Sequence, residues 1–301
     1  MKSLPVILVT GACGQLGSEM VKALRRMYGH QAVIAADAVM PFGPYLLGEL
    51  CCQLDVGNKK ELESMIYDHK VTQIYHLADE PDITGLLRVL EMARIYKLDK
   101  VFWPGSISVF GRNLPHGDCP QHTVTQPASV QGIHKLAGEQ WCRYYFEQYG
   151  LDVRSLRYPG LVSDSPGGGL TDYVREVFEE AITHNAYTCF LAEHTRLPVL
   201  YIGDAVHGAM QLMEAPAKNI RVRSSYNISG MSFTPAELAL AIREELPGFR
   251  MEYVPDARQL IADSWPERVD DLAARYDWDW KPAYNLKRMT KEMFIKEKTD
   301  A

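Results

Sequence analysis

Short apolar runs alternate with amphipathic stretches along the first half of the chain, and this pattern predicts a parallel sheet covered by helices. The first run, residues 6–9, is a strand that ends in a glycine-punctuated turn. Leu16, Met20, Val21 and Leu24 then recur at helical spacing, which predicts a helix over residues 15–27. Similar patterns predict strands at residues 32–37, 49–54, 73–78, 100–104 and 153–158, and helices at residues 60–69, 83–96, 130–149 and 172–182.

The turn after the first strand carries the pattern of a phosphate-binding loop. Its glycines are Gly11, Gly14 and Gly17, and Gln15 and Leu16 open the helix that follows. Glycine lets the backbone turn tightly and approach a pyrophosphate, while the helix N-terminus offers N–H groups and a partial positive charge. Because the turn follows a strand and opens a helix, it predicts a dinucleotide site. The alternative is a turn that only packs the helix on the sheet.

Acidic residues after the next two strands indicate which dinucleotide binds. Asp37 ends the second strand, twenty residues after Gly17. A carboxylate there accepts hydrogen bonds from the ribose hydroxyls of NAD and repels the 2′-phosphate of NADP, so we expect NAD as the cofactor. A helix cap or a solvated loop acid is the alternative for Asp37. Asp55 and Val56, after the third strand, are expected near the adenine.

The end of the fourth strand is expected to run beneath the cofactor. It reads His76, Leu77 and Ala78, and the small last residue suits a backbone that passes close to a ligand. A histidine on a buried strand is more often packed and hydrogen-bonded than catalytic, and we interpret His76 in that way.

Length, composition and charge bound the architecture. The chain has 301 residues, of which 47% are hydrophobic and 23% charged, so a sizeable core is expected and disorder is not. We expect an α/β protein with a doubly wound parallel-sheet Rossmann fold. This NAD-binding domain is expected at residues 1–165, and residues 198–215 return to it. A smaller C-terminal substrate-binding domain is expected at 166–197 and 216–301. The net charge of −6 argues against nucleic-acid and acidic-membrane partners. No apolar run reaches the roughly eighteen residues of a membrane span.

The cysteines lack the spacing of a metal site. The six are Cys13, Cys51, Cys52, Cys119, Cys142 and Cys189. They form no CxxC pair and have no companion histidine, so we expect reduced thiols and no metal. Because the chain enters its first strand within five residues, we expect no signal or transit peptide in this version of the sequence. The expected location is the cytoplasm, or the mitochondrial matrix if a transit peptide has been removed.

Three features together resemble the extended short-chain dehydrogenase/reductase superfamily. They are the glycine turn, a serine-bearing strand end that reads GSISVFG at residues 105–111, and Lys135. Within this superfamily, four further stretches resemble the NAD-dependent L-threonine 3-dehydrogenases of the short-chain type. They read RSLRYPGL at 154–161, PGGGLTDY at 166–173, RSSYN and MSFTP between 223 and 235, and IADSWP at 261–266. The last two distinguish these enzymes from the sugar-nucleotide epimerases that share the fold.

The resemblance implies oxidation of L-threonine, or of a similar small amino-acid alcohol, with NAD; threonine itself would give 2-amino-3-ketobutyrate, as in threonine catabolism. Ser106 would hold the substrate hydroxyl and Lys135 the nicotinamide ribose. Tyr158 and Pro159 would lie on the nicotinamide side. The implied substrate contacts are Ser106, Gly169, Thr171, Asp172 and Trp265.

The resemblance also implies a homodimer, assembled through helices at residues 86–96 and 130–149. Leu136, Trp141 and Tyr145 would lie partly in that interface. This expectation rests on analogy with the fold and not on a pattern in the chain.

Some of these residues have a simpler interpretation. Thr171 and Asp172 stand at the start of a helix, where an N-cap role is equally expected. Trp265 lies in an Asp-Ser-Trp-Pro turn and could serve packing alone. Asp204 is expected to cap the helix that it precedes, and Thr234 begins a capping box with proline next and glutamate three residues later.

One position departs from the family pattern. These enzymes carry a tyrosine base four residues before the lysine, and this chain has Gln131 there. A carboxamide does not titrate near neutral pH and cannot be a general base, whose loss costs about 10²–10⁴ in rate. His134 titrates, but it projects about 100° around the helix from Lys135. Three explanations fit: a deliberate substitution, a natural variant with low or lost activity, or a base supplied from elsewhere.

Two alternatives to a threonine dehydrogenase therefore stay open. One is a non-catalytic NAD-binding protein of the same fold, and the other is a sugar-nucleotide epimerase or reductase. A second departure bears on this choice, because the segment at 79–84 is shorter than in the family and Asp82 replaces a structural asparagine three residues before Gly85. The family's longer segment supplies a loop near the nicotinamide, so one wall of the active site is expected to be missing.

Overall fold

The structure is a computed structural model that describes residues 4–39, 50–78, 83–111, 118–165, 167 and 169–300, the last four without their side chains. The chain divides into two compact units. Unit 1 comprises Met1–Gly105, Ile133–Arg157 and Val206–Tyr226, and unit 2 comprises Ser106–Gly132, Tyr158–Ala205 and Asn227–Ala301.

Strands and helices alternate through the first half of the described chain, as the hydrophobic pattern predicts. The strands are β1 (Ile7–Thr10), β2 (Val33–Asp37), β3 (Cys51–Gln53), β4 (Gln73–His76), β5 (Lys100–Ser106), β6 (Asp118–Cys119), β7 (Val153–Tyr158), β8 (Gly160–Val162), β9 (Ala186–Cys189), β10 (Leu197–Tyr201), β11 (Tyr226–Asn227), β12 (Met231–Phe233), β13 (Arg250–Tyr253) and β14 (Arg268–Val269). The helices are α1 (Gln15–Tyr28), α2 (Lys59–His69), α3 (Thr84–Ile95), α4 (Val130–Tyr149), α5 (Tyr173–His184), α6 (Ile202–Glu214), α7 (Pro235–Glu245), α8 (Gln259–Ala262), α9 (Leu272–Trp278) and α10 (Leu286–Asp300).

The central sheet has the strand order β11-β7-β5-β4-β1-β2-β3 in the described residues. Strand β1 runs parallel to both of its neighbours, with Ile7 opposite Val33 of β2 and Gln73 of β4. Strands β3 and β5 continue the sheet in parallel. The predicted α/β Rossmann fold is confirmed. In such sheets ligands bind at the carboxyl ends of the strands.

One face of this sheet is covered by α2 and α3. Leu8, Ile34 and Ile74 lie side by side on β1, β2 and β4, since the register pairs Leu8 with both of the others. They share one core cluster with Leu62 of α2 and Val89 of α3. Because the strands are parallel, their carboxyl ends lie along one edge of the sheet.

Unit 2 contains three small sheets in its described residues. Strand β10 pairs in parallel with β8 and antiparallel with β12, while β9 pairs with β13 and β6 with β14. Helix α7 begins with the predicted capping box, in which Thr234 accepts the N–H of Glu237 and the Glu237 carboxylate accepts the N–H of Thr234. In the described chain, no helix is long and apolar enough to cross a bilayer.

Some boundaries differ from the predictions. Helix α4 has the predicted bounds, but β4 ends at His76 and α5 begins only at Tyr173, because residues 170–172 form a 3-10 turn. The prediction that Asp204 caps its helix is wrong. Helix α6 starts two residues earlier, and the Asp204 carboxylate instead accepts the N–H groups of Ala283 and Tyr284.

Candidate active site

The turn between β1 and α1 is closed by contacts that only glycine permits. Gly11 has a φ of +71°, and a Cβ there would lie 2.4 Å from the backbone nitrogen of Ala78. A Cβ on Gly17 would lie 1.9 Å from the carbonyl oxygen of Gly11, whereas one on Gly14 would stand 3.4 Å from the same atom. Gly11 and Gly17 are therefore required for the close packing of the turn, whereas the position of Gly14 has more room for a Cβ.

The N-terminus of α1 opens directly from this turn. Gly14 occupies the N-cap position before Gln15 and Leu16, and it has no side chain with which to cap the helix. The first N–H groups of a helix lack intrahelical acceptors and carry the positive end of the helix dipole. This end of the helix therefore suits a pyrophosphate.

The backbone next to the glycine turn orients the carboxylate of Asp37. Its Oδ2 accepts the N–H of Cys13 at 2.8 Å and its Oδ1 accepts the N–H of Val39 at 3.1 Å. Burial, followed by the charge of Asp37, raises the pKa of the Cys13 thiol to about 11, so this thiol stays protonated at neutral pH. A fixed carboxylate at the end of β2, beside a phosphate-binding turn, fits the ribose and pyrophosphate of NAD.

The ends of β3 and β4 lie on the same edge of the sheet. The Asp55 carboxylate accepts the N–H of Gly57 at 2.7 Å, and Val56 is buried beside it. Leu77 donates its N–H to the carbonyl of Thr10 at 3.0 Å, which carries the chain on to Ala78 against the glycine turn. These residues therefore surround the cradle formed by the turn and Asp37.

His76 is packed and hydrogen-bonded, in agreement with the prediction. Its Nδ1 lies 2.8 Å from Oγ1 of Thr10, and the side chain is buried. Burial, with a smaller contribution from the charge of Lys135, lowers the pKa of His76 to about 3. The imidazole is thus neutral at physiological pH and contributes no charge to the site.

Ser106 ends β5 and begins the 3-10 turn Ile107–Val109 in unit 2. Its Oγ accepts the N–H of Ser108 at 3.1 Å. A hydroxyl that accepts one hydrogen bond still has its own hydrogen to donate, so Ser106 can donate to a substrate oxygen.

The N-terminus of α4 packs against this turn, and it carries Gln131. A Cβ on Gly132 would lie 2.4 Å from the carbonyl oxygen of Ser108, so the helix approaches the turn closely. Ser129 accepts the N–H of Gly132 at 3.0 Å and acts as an N-cap, which the sequence analysis missed. Gln131 is exposed. The structure thus brings the position of the absent tyrosine to the turn that follows Ser106.

Lys135 lies four residues further along α4, on the same helix face as Gln131. Its Nζ donates to the carbonyl of Pro104 at 2.9 Å and lies 4.9 Å from the ring centroid of Trp103. Trp103 was not among the predicted site residues. An aromatic residue three positions before the serine of a buried strand was the available signal.

The phenol of Tyr158 is engaged within unit 2. Its hydroxyl donates to the carbonyl of Ala205 at 2.9 Å, and the next residue, Pro159, is buried. The nicotinamide contact expected of Tyr158 would therefore use its backbone or ring.

The side chains of the residues before α5 make no capping hydrogen bond to that helix. Thr171 is buried and donates its hydroxyl to the carbonyl of Leu161 at 3.0 Å. Its methyl group fills the space that a Cβ on Gly160 would need. Asp172 makes no side-chain cap bond, and its carboxylate accepts the N–H of Gly167 at 3.1 Å. The N-cap interpretation therefore holds for the position of Asp172 but not for a capping hydrogen bond, because both side chains turn back to the preceding loop.

The two remaining substrate candidates are less constrained. Among the described residues, a Cβ on Gly169 would have nothing within 4 Å. Trp265 is half-buried and donates its backbone N–H to the carbonyl of Ala262 at 3.0 Å.

The shortened segment with Asp82 lies outside the described residues. Among the described side chains, no group of three or more histidine, cysteine, aspartate or glutamate residues could hold a metal ion.

Comparison with known proteins shows the family to which the chain belongs. The model of the NAD dependent epimerase/dehydratase family matches residues 7–229. An uncharacterized epimerase/dehydratase of Staphylococcus haemolyticus is 37% identical, and the match covers 97% of this chain and 98% of the relative. The predicted cofactor, NAD, is confirmed by the family that the chain matches.

Two solved structures match nearly the whole chain. A partial consensus L-threonine 3-dehydrogenase has a TM-score of 0.93 and 47% identity, covering 98% of this chain and 100% of its own. A GalE-like L-threonine dehydrogenase from Cupriavidus necator, in its holo form, has a TM-score of 0.93 and 46% identity, covering 97% and 99%. The resemblance to short-chain L-threonine 3-dehydrogenases is confirmed.

Proposed function

The chain belongs to the NAD dependent epimerase/dehydratase family, and from this premise we propose that it oxidises L-threonine to 2-amino-3-ketobutyrate with NAD. The observation that carries the proposal is the likeness of almost the entire chain to two L-threonine dehydrogenase structures. The similarity extends through the C-terminal residues, where substrate-specific stretches are expected.

In this proposal different residues bind the cofactor and the substrate. The glycine turn and Asp37 bind NAD, which supplies the hydride acceptor when bound, and Lys135 holds its nicotinamide ribose. Ser106 donates a hydrogen bond to the 3-hydroxyl oxygen of threonine. The Ser106 hydroxyl accepts the N–H of Ser108, so its own hydrogen can be donated to the substrate oxygen.

This reaction lacks the usual base for the proton of the substrate hydroxyl. As hydride leaves C3, that proton must pass to a base, and Gln131 cannot accept it near neutral pH. This residue is the specific observation that favours a second candidate function. In that case the protein binds NAD without turnover, as a sensor or as a partner subunit.

Two variants of position 131, compared with the unsubstituted chain, distinguish the two candidates. NADH absorbance is followed with L-threonine and NAD for the natural chain, Gln131→Tyr and Gln131→Phe. The first function predicts that tyrosine raises the rate by about 10²–10⁴. Phenylalanine, which has the same ring without the hydroxyl, should leave the rate unchanged. NAD binding by calorimetry with no turnover in any of the three would support the non-catalytic protein, and absence of NAD binding would contradict both.

A sugar-nucleotide epimerase or reductase is the third function. It would require a nucleotide-sugar ligand, so a UDP-sugar should raise the unfolding temperature when NAD is present, and L-threonine should not. The opposite result supports the threonine dehydrogenase.

We also propose that the protein forms a homodimer through α3 and α4. An aromatic surface on α4, formed by Trp141, Tyr144 and Tyr149, is partly exposed in the single chain. Ile95, the last residue of α3, is also exposed. Tyr145 is already covered within the chain and donates to Glu91. Light scattering should give a dimer, and Trp141→Glu should give a monomer. A monomeric natural chain at micromolar concentration would contradict this assembly.

A further inference from the structure

The face of α4 that carries Lys135 rests on the indole ring of Trp103. A Cβ on Gly138 would lie 2.3 Å from the Cη2 atom of that ring, so the ring occupies the space that a side chain would need. Trp103 is 6% exposed, which shows that its position is set by packing. Gly138 follows Lys135 by three residues, so the two share one face of the helix.

The ammonium group of Lys135 lies over this ring. Its Nζ is 4.9 Å from the ring centroid and 2.9 Å from the carbonyl oxygen of Pro104. Both contacts come from consecutive residues of β5, so one short stretch of strand fixes the ammonium from two directions. An indole face attracts a cation more strongly than the other aromatic rings do, and it does so most where water is excluded.

The nearest titratable group on β4 does not oppose this arrangement. His76 is buried and is bound to Thr10, and the charge of Lys135 contributes to keeping it neutral. A neutral imidazole neither repels the ammonium nor competes for the Pro104 carbonyl as a second cation would. Trp103 and Pro104 therefore both contribute to the position of the ammonium.

We propose that Trp103 is a positioning residue for Lys135. Its indole ring, admitted by Gly138, holds the ammonium where Lys135 binds the nicotinamide ribose. The ribose part of this inference rests on the proposed function, whereas the contact between the ammonium and the ring belongs to the free protein. Trp103 itself touches no reacting atom in this scheme, so it acts through Lys135.

The contact can be tested without NAD. In protein labelled with 13C at lysine Cε, the protons next to the Lys135 ammonium should be shifted upfield by the indole ring, and Lys135→Arg assigns their signal. Trp103→Phe should reduce the upfield shift and Trp103→Met should abolish it. The matched control is Phe102→Leu, which removes a buried ring that points to the opposite face of β5. A Lys135 signal that is not shifted, or that Trp103→Met leaves in place, would overturn the inference.

The consequence for the cofactor is tested by calorimetry on the same variants. Trp103→Met should weaken NAD binding by roughly tenfold, because the lysine loses its cation–π partner. Trp103→Phe should recover most of that loss, and Phe102→Leu should change the affinity little even if it lowers stability as much. Equal losses of NAD affinity in Trp103→Met and Phe102→Leu would show that Trp103 acts only through core packing. That result would overturn the inference.

Failure of the proposed function would look different. If the natural chain does not bind NAD at all, the proposed function fails while the resonance of Lys135 still reports on the ring contact. Should Trp103→Met not fold, the comparison of Trp103→Phe with the natural chain decides the matter, since a phenyl ring retains a smaller upfield shift. An unchanged upfield shift in Trp103→Phe would then contradict the inference.

Discussion

The backbone N–H of Cys13 donates a hydrogen bond of 2.8 Å to the carboxylate of Asp37. Cys13 belongs to the glycine turn and Asp37 ends β2, so this bond joins the two halves of the NAD cradle. The carboxylate is already oriented in the free protein, which lowers the entropy lost when a ribose binds.

The charge of Asp37 should select NAD over NADP. We expect Asp37→Ser to weaken NAD binding by roughly tenfold to a hundredfold, since hydrogen bonds to a charged group contribute about 1.5–3 kcal/mol. The same variant should bind NADP more tightly than the natural chain does, because the repulsion of the 2′-phosphate is gone. Calorimetry with both dinucleotides measures the ratio. The matched control is Asp68→Asn, which removes an exposed carboxylate on α2 and should leave the ratio unchanged.

The glycines of the turn should differ sharply in their tolerance of a methyl group. Gly17→Ala places a Cβ 1.9 Å from the Gly11 carbonyl, so the turn must move. We expect it to lower the free energy of unfolding by about 1–3 kcal/mol and to abolish tight NAD binding. Gly14→Ala, with 3.4 Å to the same oxygen, should cost far less stability. Urea unfolding and calorimetry test both, and equal effects would contradict the packing described here.

The neutral His76 should make stability depend on pH. Burial, aided by Lys135, lowers its pKa from 6.5 to about 3. Between these values the unfolded chain binds a proton that the folded chain does not, so the free energy of unfolding falls as pH falls. The slope from this one group reaches at most about 1.4 kcal/mol per pH unit. Urea unfolding between about pH 7 and about pH 5 measures this slope, because most carboxylates titrate below that range.

Removing the imidazole isolates this contribution. His76→Gln should flatten the dependence of stability on pH in that window, even though it lowers stability overall. His194→Gln is the control, because 85% of that side chain is exposed and its loss should leave the slope unchanged. Parallel slopes for the natural chain and His76→Gln would show that His76 does not titrate as described.

The buried pair of Glu139 and Arg157 should be costly to break. Two hydrogen bonds of 2.7 Å join them, and the side chains are 0% and 6% exposed. We expect Glu139→Gln to lower the free energy of unfolding by about 3–5 kcal/mol, because the buried guanidinium of Arg157 loses the carboxylate charge that pairs with it. Thermal and urea unfolding measure this loss.

Two further variants check that explanation. The double variant Glu139→Leu with Arg157→Met should recover part of the stability, since apolar side chains of similar size leave no buried charge. Glu147→Gln, in the exposed pair with Arg143 at 3.9 Å, should cost less than about 1 kcal/mol. A loss in Glu147→Gln as large as that in Glu139→Gln would exclude burial as the cause.

Local signals in the sequence determined the elements and most of the chemical groups. Helix α4 has its predicted bounds, and the capping box of α7 forms as predicted, because both depend on residues within a few positions of one another. The glycine turn, Asp37, Ser106 and the absence of a tyrosine at position 131 can be read in the same way, since their meaning follows from their place at the end of a strand or the start of a helix.

Only the tertiary structure decided which distant groups meet. His76 lies 66 positions from the Thr10 hydroxyl that binds it, and Asp204 lies 79 positions from Ala283, whose N–H draws it away from a capping role. Lys135 is 31 positions from the Pro104 carbonyl. Such pairings depend on strand order and on the depth at which a helix packs, and hydrophobic periodicity encodes neither. The sequence therefore named the groups of the site, whereas packing set the charge of His76 and the partners of Lys135.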